Sequence, residues 1–285
     1  MIYLVFALNF ALMITMPVIL GRVIAQRRRA SWVFFGMGAV TFVLSQLLHL
    51  PFNWLVLQKW QLVPTDTAVL SNLTILALFG GLSAGIFEEV ARYFTYRFWA
   101  KKARSWGAGL MLGTGHGGIE AILLGLLGAI NVGALALMQQ GMFLNAVPED
   151  QMSLLQEQIT AVFATPMPMI LLGAAERLFT LCAHLALSLF VMQVFVRGQI
   201  RWLWLAILWH ALLDATAVFA ATTWNPLITE GIIGLFALAS AGIIFWLRTP
   251  EPVEPEIEPL PEMKPIMPIS LEQTAESLER SKFTS

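Results

Sequence analysis

Residues 106–138, WGAGLMLGTGHGGIEAILLGLLGAINVGALALM, contain only one charged side chain, Glu120. An α-helix needs about 20 mainly apolar residues to cross a hydrocarbon core about 30 Å thick, so this run is long enough to span a membrane. Six other runs have the same character, at residues 2–23, 31–56, 68–99, 166–196, 201–222 and 227–247. We therefore predict an all-α, polytopic integral membrane bundle of about seven transmembrane helices. A break in the glycine-rich run would raise that number.

The composition supports a membrane location and excludes a water-soluble fold. Hydrophobic residues make up 58% of the chain and charged residues 12%, whereas soluble domains are roughly half apolar and a quarter charged. The sequence has no glycine-rich nucleotide fingerprint and no nucleic-acid-binding signature. The predicted environment is the lipid bilayer of a prokaryotic plasma membrane.

Basic residues recur at every second membrane exit and so predict the orientation of the bundle. They are Arg27–Arg29, the cluster between Arg97 and Arg104, the pair Arg197 and Arg201, and Arg248. Since Lys and Arg concentrate on the cytoplasmic side, the N-terminus is predicted outside and the C-terminus inside.

Two segments outside the spans have a recognisable character. Residues 151–163, QMSLLQEQITAVF, predict a short amphipathic helix at the membrane interface. Residues 249–285 are rich in Pro and Glu and poor in apolar side chains, which predicts a disordered acidic cytoplasmic tail. The transmembrane domain would then comprise residues 1–248.

Ionisable side chains inside membrane spans are costly, so each is a candidate functional residue. Five of them, from four different spans, lie at similar depths of roughly 14–20 Å from the nearest cytoplasmic cation at about 1.5 Å per residue. These are Glu88, Glu89, His116, His184 and His210. We therefore expect two carboxylates and three imidazoles to share one pocket, and their depth favours access from the cytoplasmic side or the inner leaflet.

Three pairs of ionisable residues are spaced four apart, so the members of each share a helix face: Glu88 with Arg92, His116 with Glu120, and His210 with Asp214. Such pairs are expected to form ion pairs, to orient an imidazole, or to supply two ligands to one metal ion. Two other features have a structural interpretation. We expect Glu176 and Arg177 to form an ion pair, and His49 to be an interhelical hydrogen-bonding group.

The order of the polar motifs along the chain resembles that of the YhfC family of intramembrane proteases. The motifs are E-E-V-A-R at 88–92, H-G-G-I-E at 116–120, a histidine at 184 and H-A-L-L-D at 210–214. The resemblance covers roughly residues 35–225. It implies membership of the superfamily that contains the CAAX-processing and bacteriocin-processing (CPBP) proteases and the PrsW-type proteases.

The resemblance implies roles for these residues: catalytic for Glu88, Glu89, His116 and His210, and supporting for Arg92, Glu120, His184 and Asp214. The CAAX-type motif has three residues between its second glutamate and its arginine, whereas two separate Glu89 from Arg92 here. Which glutamate activates the water therefore stays open.

The predicted function is a membrane endopeptidase of the glutamic or metallo type. It would cleave a membrane-associated or transmembrane peptide with a water activated by Glu88 or Glu89, and histidines would stabilise the oxyanion or transfer the proton. In a metal-assisted form, His116, His184 and His210 would bind Zn²⁺. Two alternatives remain at this point: a non-catalytic membrane scaffold of the same fold, and an ion- or proton-coupled transporter.

Overall fold

The computed structural model describes residues 1–249, which fold into nine α-helices. Their bounds are Ile2–Arg28 (α1), Trp32–Trp54 (α2), Leu70–Phe94 (α3), Trp106–Gln139 (α4), Met152–Phe163 (α5), Met167–Ile170 (α6), Leu172–Val196 (α7), Arg201–Thr223 (α8) and Pro226–Trp246 (α9). Helices α2 and α3 continue into π-helical turns at Leu55–Lys59 and Thr95–Trp99.

The predicted helical membrane bundle is confirmed. Seven helical segments between residues 1 and 249 are long and apolar enough to cross a membrane, and they match the seven predicted runs to within a few residues. The glycine-rich fourth segment is an unbroken helix. The amphipathic stretch forms α5, which packs Leu155 and Ile159 against Leu135. The predicted tail lies outside the described residues from position 250 onward.

Seven spans alternate in direction, so the loops at residues 29–31, 100–105 and 197–200 lie at the same end of the bundle, which we call the basic end. The loops at residues 60–69 and 224–225 lie at the opposite end. The assignment of the basic end to the cytoplasm stays a prediction from the positive-inside pattern.

Helix α7 is the central element of the bundle. Of its transmembrane window 72% is buried within the protein, whereas for the other six spans the share is 17–33%. It packs against α4, α8 and α9. A side chain on α7 therefore faces protein in most directions, which suits a position for polar groups that must avoid lipid.

Glycines bring α2 and α4 into backbone contact. A Cβ atom on Gly38 would lie 2.0 Å from the Leu112 carbonyl oxygen, and one on Gly115 would lie 1.9 Å from the Phe35 carbonyl oxygen. No side chain fits at these distances. Small residues at such crossings let membrane helices approach closely, and here they bring His116 of α4 beside α2.

A second glycine pair joins α3 to α8. Cβ atoms on Gly81 and Gly85 would lie 2.4 Å and 2.8 Å from the carbonyl oxygens of Ala211 and Ile207. The two glycines are four residues apart and thus lie on one face of α3. The next turn of α3 carries the acidic pair, which is therefore held against the part of α8 that contains His210.

The basic end of the bundle is filled by a compact core. Tyr96, Met111 and Met192 are almost completely buried there. The Tyr96 hydroxyl and the Ser188 hydroxyl lie 2.8 Å apart, and the Ser188 hydroxyl donates to the Gly109 carbonyl oxygen at 2.8 Å. Side chains of α3, α4 and α7 thus interlock below the predicted polar layer.

Candidate active site

The structure brings the three predicted membrane histidines together in the middle of the bundle. The ring centroids of His116 and His184 are 5.2 Å apart, and those of His184 and His210 are 5.5 Å apart. All three side chains are buried. Helices α4, α7 and α8 each contribute one imidazole, and α3 contributes the two glutamates beside them.

Glu88 lies at the centre of this cluster. Its Oε2 accepts a hydrogen bond from His116 Nε2 at 3.0 Å and lies 3.9 Å from His210 Nε2. Its Oε1 accepts a hydrogen bond from Gln46 Nε2 at 2.9 Å. Groups from α2, α4 and α8 therefore converge on one carboxylate of α3.

Arg92 pairs with Glu89, and the predicted pairing of Arg92 with Glu88 is wrong. A helical side chain can reach residues either three or four positions away. Arg92 could therefore pair with Glu89 or with Glu88, and the surrounding side chains decide which pair forms. The Glu88 carboxylate accepts hydrogen bonds from side chains of α2 and α4. Glu89 and Arg92 are both fully buried on the side of α3 that faces α7 and α8. The buried arginine is thereby paired with a carboxylate that is equally shielded from water.

Arg92 also fixes the hydrogen-bonding state of His184. Its Nη2 lies 3.3 Å from His184 Nδ1, and because a guanidinium can only donate, Nδ1 is the acceptor. The ring proton is then on Nε2, which donates to Glu120 Oε2 at 2.8 Å. The ring of His184 is held from both sides.

Glu120 does not pair with His116, contrary to the expectation from their spacing. It accepts hydrogen bonds from His184 and from Arg177 Nη1, the latter at 2.7 Å. Arg177 also pairs with Glu176, so the predicted Glu176–Arg177 ion pair is confirmed. Four charged or polar groups thus form a continuous network from His184 towards the opposite end of the bundle.

His210 lies between two carboxylates. Its Nδ1 lies 2.8 Å from Glu89 Oε1, and its Nε2 lies 3.4 Å from Asp214 Oδ2. The predicted proximity of His210 and Asp214 is therefore confirmed. Of the two carboxylates, Glu89 is the nearer, so in the neutral ring Nδ1 is the nitrogen that carries the proton.

Glu88, His116 and His184 could hold a metal ion. Each offers one ligand atom, and these atoms all lie within 4.8 Å of one another. Two histidines and one glutamate are a ligand set of catalytic zinc sites. His116 Nδ1 is buried and has no hydrogen-bond partner within residues 1–249, so no protein contact competes for that side of the ring. The set differs from the predicted His116, His184 and His210, because Glu88 replaces His210.

A cavity of about 230 Å³ borders the cluster. Glu88, His184, His210 and Asp214 line it, whereas Glu89 does not. Of the two adjacent glutamates, only Glu88 thus faces a space that water or a substrate could enter.

Sequence reasoning missed Gln46, the α2 side chain that donates to Glu88. Its own Oε1 lies 3.3 Å from His49 Nδ1, and His49 Nε2 lies 2.9 Å from Asn53 Nδ2 and 3.0 Å from Ser83 Oγ. His49 is therefore an interhelical hydrogen-bonding group, as predicted. Gln46 is neutral and was not among the ionisable candidates. Its position three residues before His49 was the available signal.

Comparison with known proteins identifies the family of the chain. The model of the family described as YhfC intramembrane metalloprotease matches residues 12–233. The chain belongs to the YhfC family. It is 32% identical over 251 residues to the uncharacterized membrane protein YhfC of Bacillus subtilis (strain 168), a match that covers 85% of this chain and 93% of that protein. No solved structure matches the chain significantly.

The YhfC match includes every residue of the cluster and extends the resemblance seen in the sequence at both ends. The family match and the seven apolar helices both indicate an integral membrane protein. The wider relationship to the CPBP and PrsW proteases stays a prediction.

Proposed function

We propose that this YhfC-family protein is an intramembrane metalloprotease that hydrolyses a peptide bond of a membrane-associated or transmembrane substrate. The observation that carries the proposal is the convergence of Glu88, His116 and His184 next to a cavity that Glu88, His184 and His210 line. The family description supports the same reaction class. The order of the motifs on successive helices supports the relationship to the CPBP and PrsW proteases.

Glu88, His116 and His184 would hold the metal ion, with Zn²⁺ as the expected element. When bound there, Zn²⁺ would supply a Lewis acid and lower the pKa of a bound water to about 7. Gln46 orients the Glu88 carboxylate through the Oε1 atom of Glu88, and Glu120 orients the ring of His184 through its Nε2 proton. Hydrogen bonds of this kind are what fix the ligands of a metal site. The Nδ1 lone pair of His184 would then bind the metal ion in place of its contact with Arg92 Nη2.

His210 is the proposed proton-transfer residue. Glu89 accepts a hydrogen bond from the Nδ1–H group of His210, which leaves Nε2 to take a proton from the attacking water and deliver it to the departing amine. Asp214 lies 3.4 Å from Nε2 and would stabilise the protonated ring. The sequence prediction gave the base role to a glutamate. The contacts favour His210 in that role, with Glu89 acting through it.

Glu89 and Arg92 are proposed as positioning residues. Both side chains are fully buried, so neither can meet a substrate. Their ion pair holds a carboxylate at His210 and a guanidinium at His184, and it thereby joins the proton-transfer residue to the metal ligands. An error of about 1 Å in the placement of reacting groups can cost roughly 100-fold in rate.

A comparison of protein N-termini in membrane fractions tests the proposal. Cells would express wild type, Glu88→Gln, His210→Gln, or Glu157→Gln, a control on the exposed face of α5. We expect new N-termini of membrane proteins in the wild type and the control that disappear in both site variants. Wild-type and Glu88→Gln profiles that do not differ, with equal amounts of folded protein, would refute the protease.

A further inference from the structure

Two cavities lie next to each other along α7, α8 and α9. The first, of about 230 Å³, borders His184 and His210, and the second, of about 330 Å³, reaches Pro226 at the start of α9. Three residues line both cavities: Glu176, Ala217 and Ile233. Because Pro226 follows the loop at 224–225, the pair of cavities leads from the site to the opposite end of the bundle.

The other side of the site is closed by protein. Tyr96 lies one helical turn beyond Arg92, and Ser188 lies one turn beyond His184, both in the direction of the basic end. Their hydroxyls are in contact and are fully buried. Met111 and Met192 pack in the same core with almost no exposed surface. A solute would have to open this core to reach the site from the basic end.

Side-chain exposure rises among the carboxylates that line the first cavity. The exposed fraction is 8% for Glu88 and 21% for Glu120, and it reaches 37% for both Asp214 and Glu176. The order follows the route from the closed side of the site to the opposite end. This gradient in exposure runs in the same direction as the pair of cavities.

The walls of the route are acidic. The carboxylates that line the two cavities are Glu88, Glu120, Glu176, Asp214 and Glu230. Arg177 is the one arginine or lysine among the lining residues, and it is already paired with two of these carboxylates. Glu230 Oε2 is buried without a hydrogen-bond partner in the described part of the chain. A narrow cleft lined by one sign of charge concentrates ions of the other sign.

We propose that the site is entered from the opposite end of the bundle, through the passage between α7, α8 and α9, and that this passage admits cationic solutes in preference to anionic ones. The class of solute includes a divalent metal ion and a positively charged peptide segment. With the basic end in the cytoplasm, the entrance faces the outside. The proposal thus reverses the direction of access expected from the depth of the polar layer alone.

The test is the reactivity of a single cysteine placed in the passage. In a Cys182→Ser background, the Ala217→Cys variant is treated with two membrane-impermeant methanethiosulfonates of similar size, one cationic and one anionic. Each rate is divided by the rate with a free thiol in solution. The matched control is Ala206→Cys, because Ala206 lies on the same helix, is fully buried and is nearer the basic end.

We expect Ala217→Cys to react at least 10-fold faster than Ala206→Cys and to favour the cationic reagent by at least 10-fold. Adding Glu230→Gln is expected to reduce that preference several-fold. Ala217→Cys reacting no faster than Ala206→Cys would refute the passage. A charge preference that is absent, or unchanged by Glu230→Gln, would refute its cation selectivity. If Ala217→Cys does not fold, Val218→Cys in the second cavity replaces it.

The side of entry is read in intact cells with two loop controls. Asp66→Cys marks the opposite end, and Lys102→Cys marks the basic end. Ala217→Cys should be labelled under the same conditions as Asp66→Cys. If it is labelled only under the conditions that label Lys102→Cys, the proposal is overturned. The labelling rates can be measured whether or not the protein has proteolytic activity. A protein that labels as expected but cleaves nothing would refute the proposed function and leave the passage intact.

Discussion

Glu89 and Glu88 are adjacent, but replacing Glu89 by glutamine should destabilise the protein far more than replacing Glu88 does. Glu89 and Arg92 are both fully buried and paired. Removing one partner of a buried ion pair leaves an uncompensated charge and costs about 3–5 kcal/mol. Glu88 has no arginine or lysine partner in the described structure, and a glutamine can still accept from Gln46. Its loss should cost only about 1 kcal/mol, the value of an ordinary hydrogen bond.

Thermal unfolding of the purified protein in detergent measures the difference. At about 2–4 °C for each kcal/mol in a chain of this size, Glu89→Gln should lower Tm by about 6–20 °C and Glu88→Gln by about 2–4 °C. Cleavage of a substrate found by N-terminal proteomics should be abolished in Glu88→Gln even at temperatures where the variant is fully folded.

The double variant Glu89→Gln/Arg92→Met is the control for this prediction. It removes the uncompensated charge, so it should recover part of the Tm lost in Glu89→Gln. A Tm loss in Glu88→Gln equal to that in Glu89→Gln would refute the reasoning. So would a double variant less stable than Glu89→Gln alone, because the cost would not then come from the unpaired guanidinium.

Three further predictions concern the surroundings of the cluster. Gln46→Leu removes the donor to Glu88 Oε1 and should lower kcat about 10- to 100-fold. Gln46→Glu should lower kcat further, because it places a second carboxylate beside Glu88. Enzyme assays at equal concentrations of folded protein compare the two variants. Gly117→Leu should reduce the yield of folded protein, since a Cβ at this position would lie 2.7 Å from His184 Cδ2, and size-exclusion chromatography would show it. Elemental analysis should find about one zinc per wild-type chain and much less in His116→Ala, while equal zinc in both would exclude His116 as a ligand.

The fold was predictable because the relevant pattern is local. Runs such as 106–138 carry almost no charge, and the basic residues between runs mark where each helix leaves the membrane. The bounds of α4 and α8 consequently agree with the predicted spans to within a residue or two. The shared depth of the five polar residues was also predictable, because depth depends only on the rise per residue.

The pairings within the site were not predictable, because they depend on contacts between helices. Spacing places Arg92 within reach of both Glu88 and Glu89, and the choice is made by Gln46 and His116, which occupy Glu88 from other helices. Spacing likewise allowed Glu120 to pair with His116, but Arg177 and His184 of α7 hold it instead. Helix rotation and crossing angles, which set these contacts, are not encoded in the hydropathy pattern.

The chain of contacts from Glu89 through Arg92, His184 and Glu120 to Arg177 has a consequence for biogenesis. Each charge at the centre of a lone helix costs about 2.5–3.5 kcal/mol on insertion into lipid. Glu89 and Arg92 pair within one helix, but Glu120 of α4 contacts Arg177 and His184 only after α7 has been synthesised. Helix α4 should therefore insert less readily alone than together with α7.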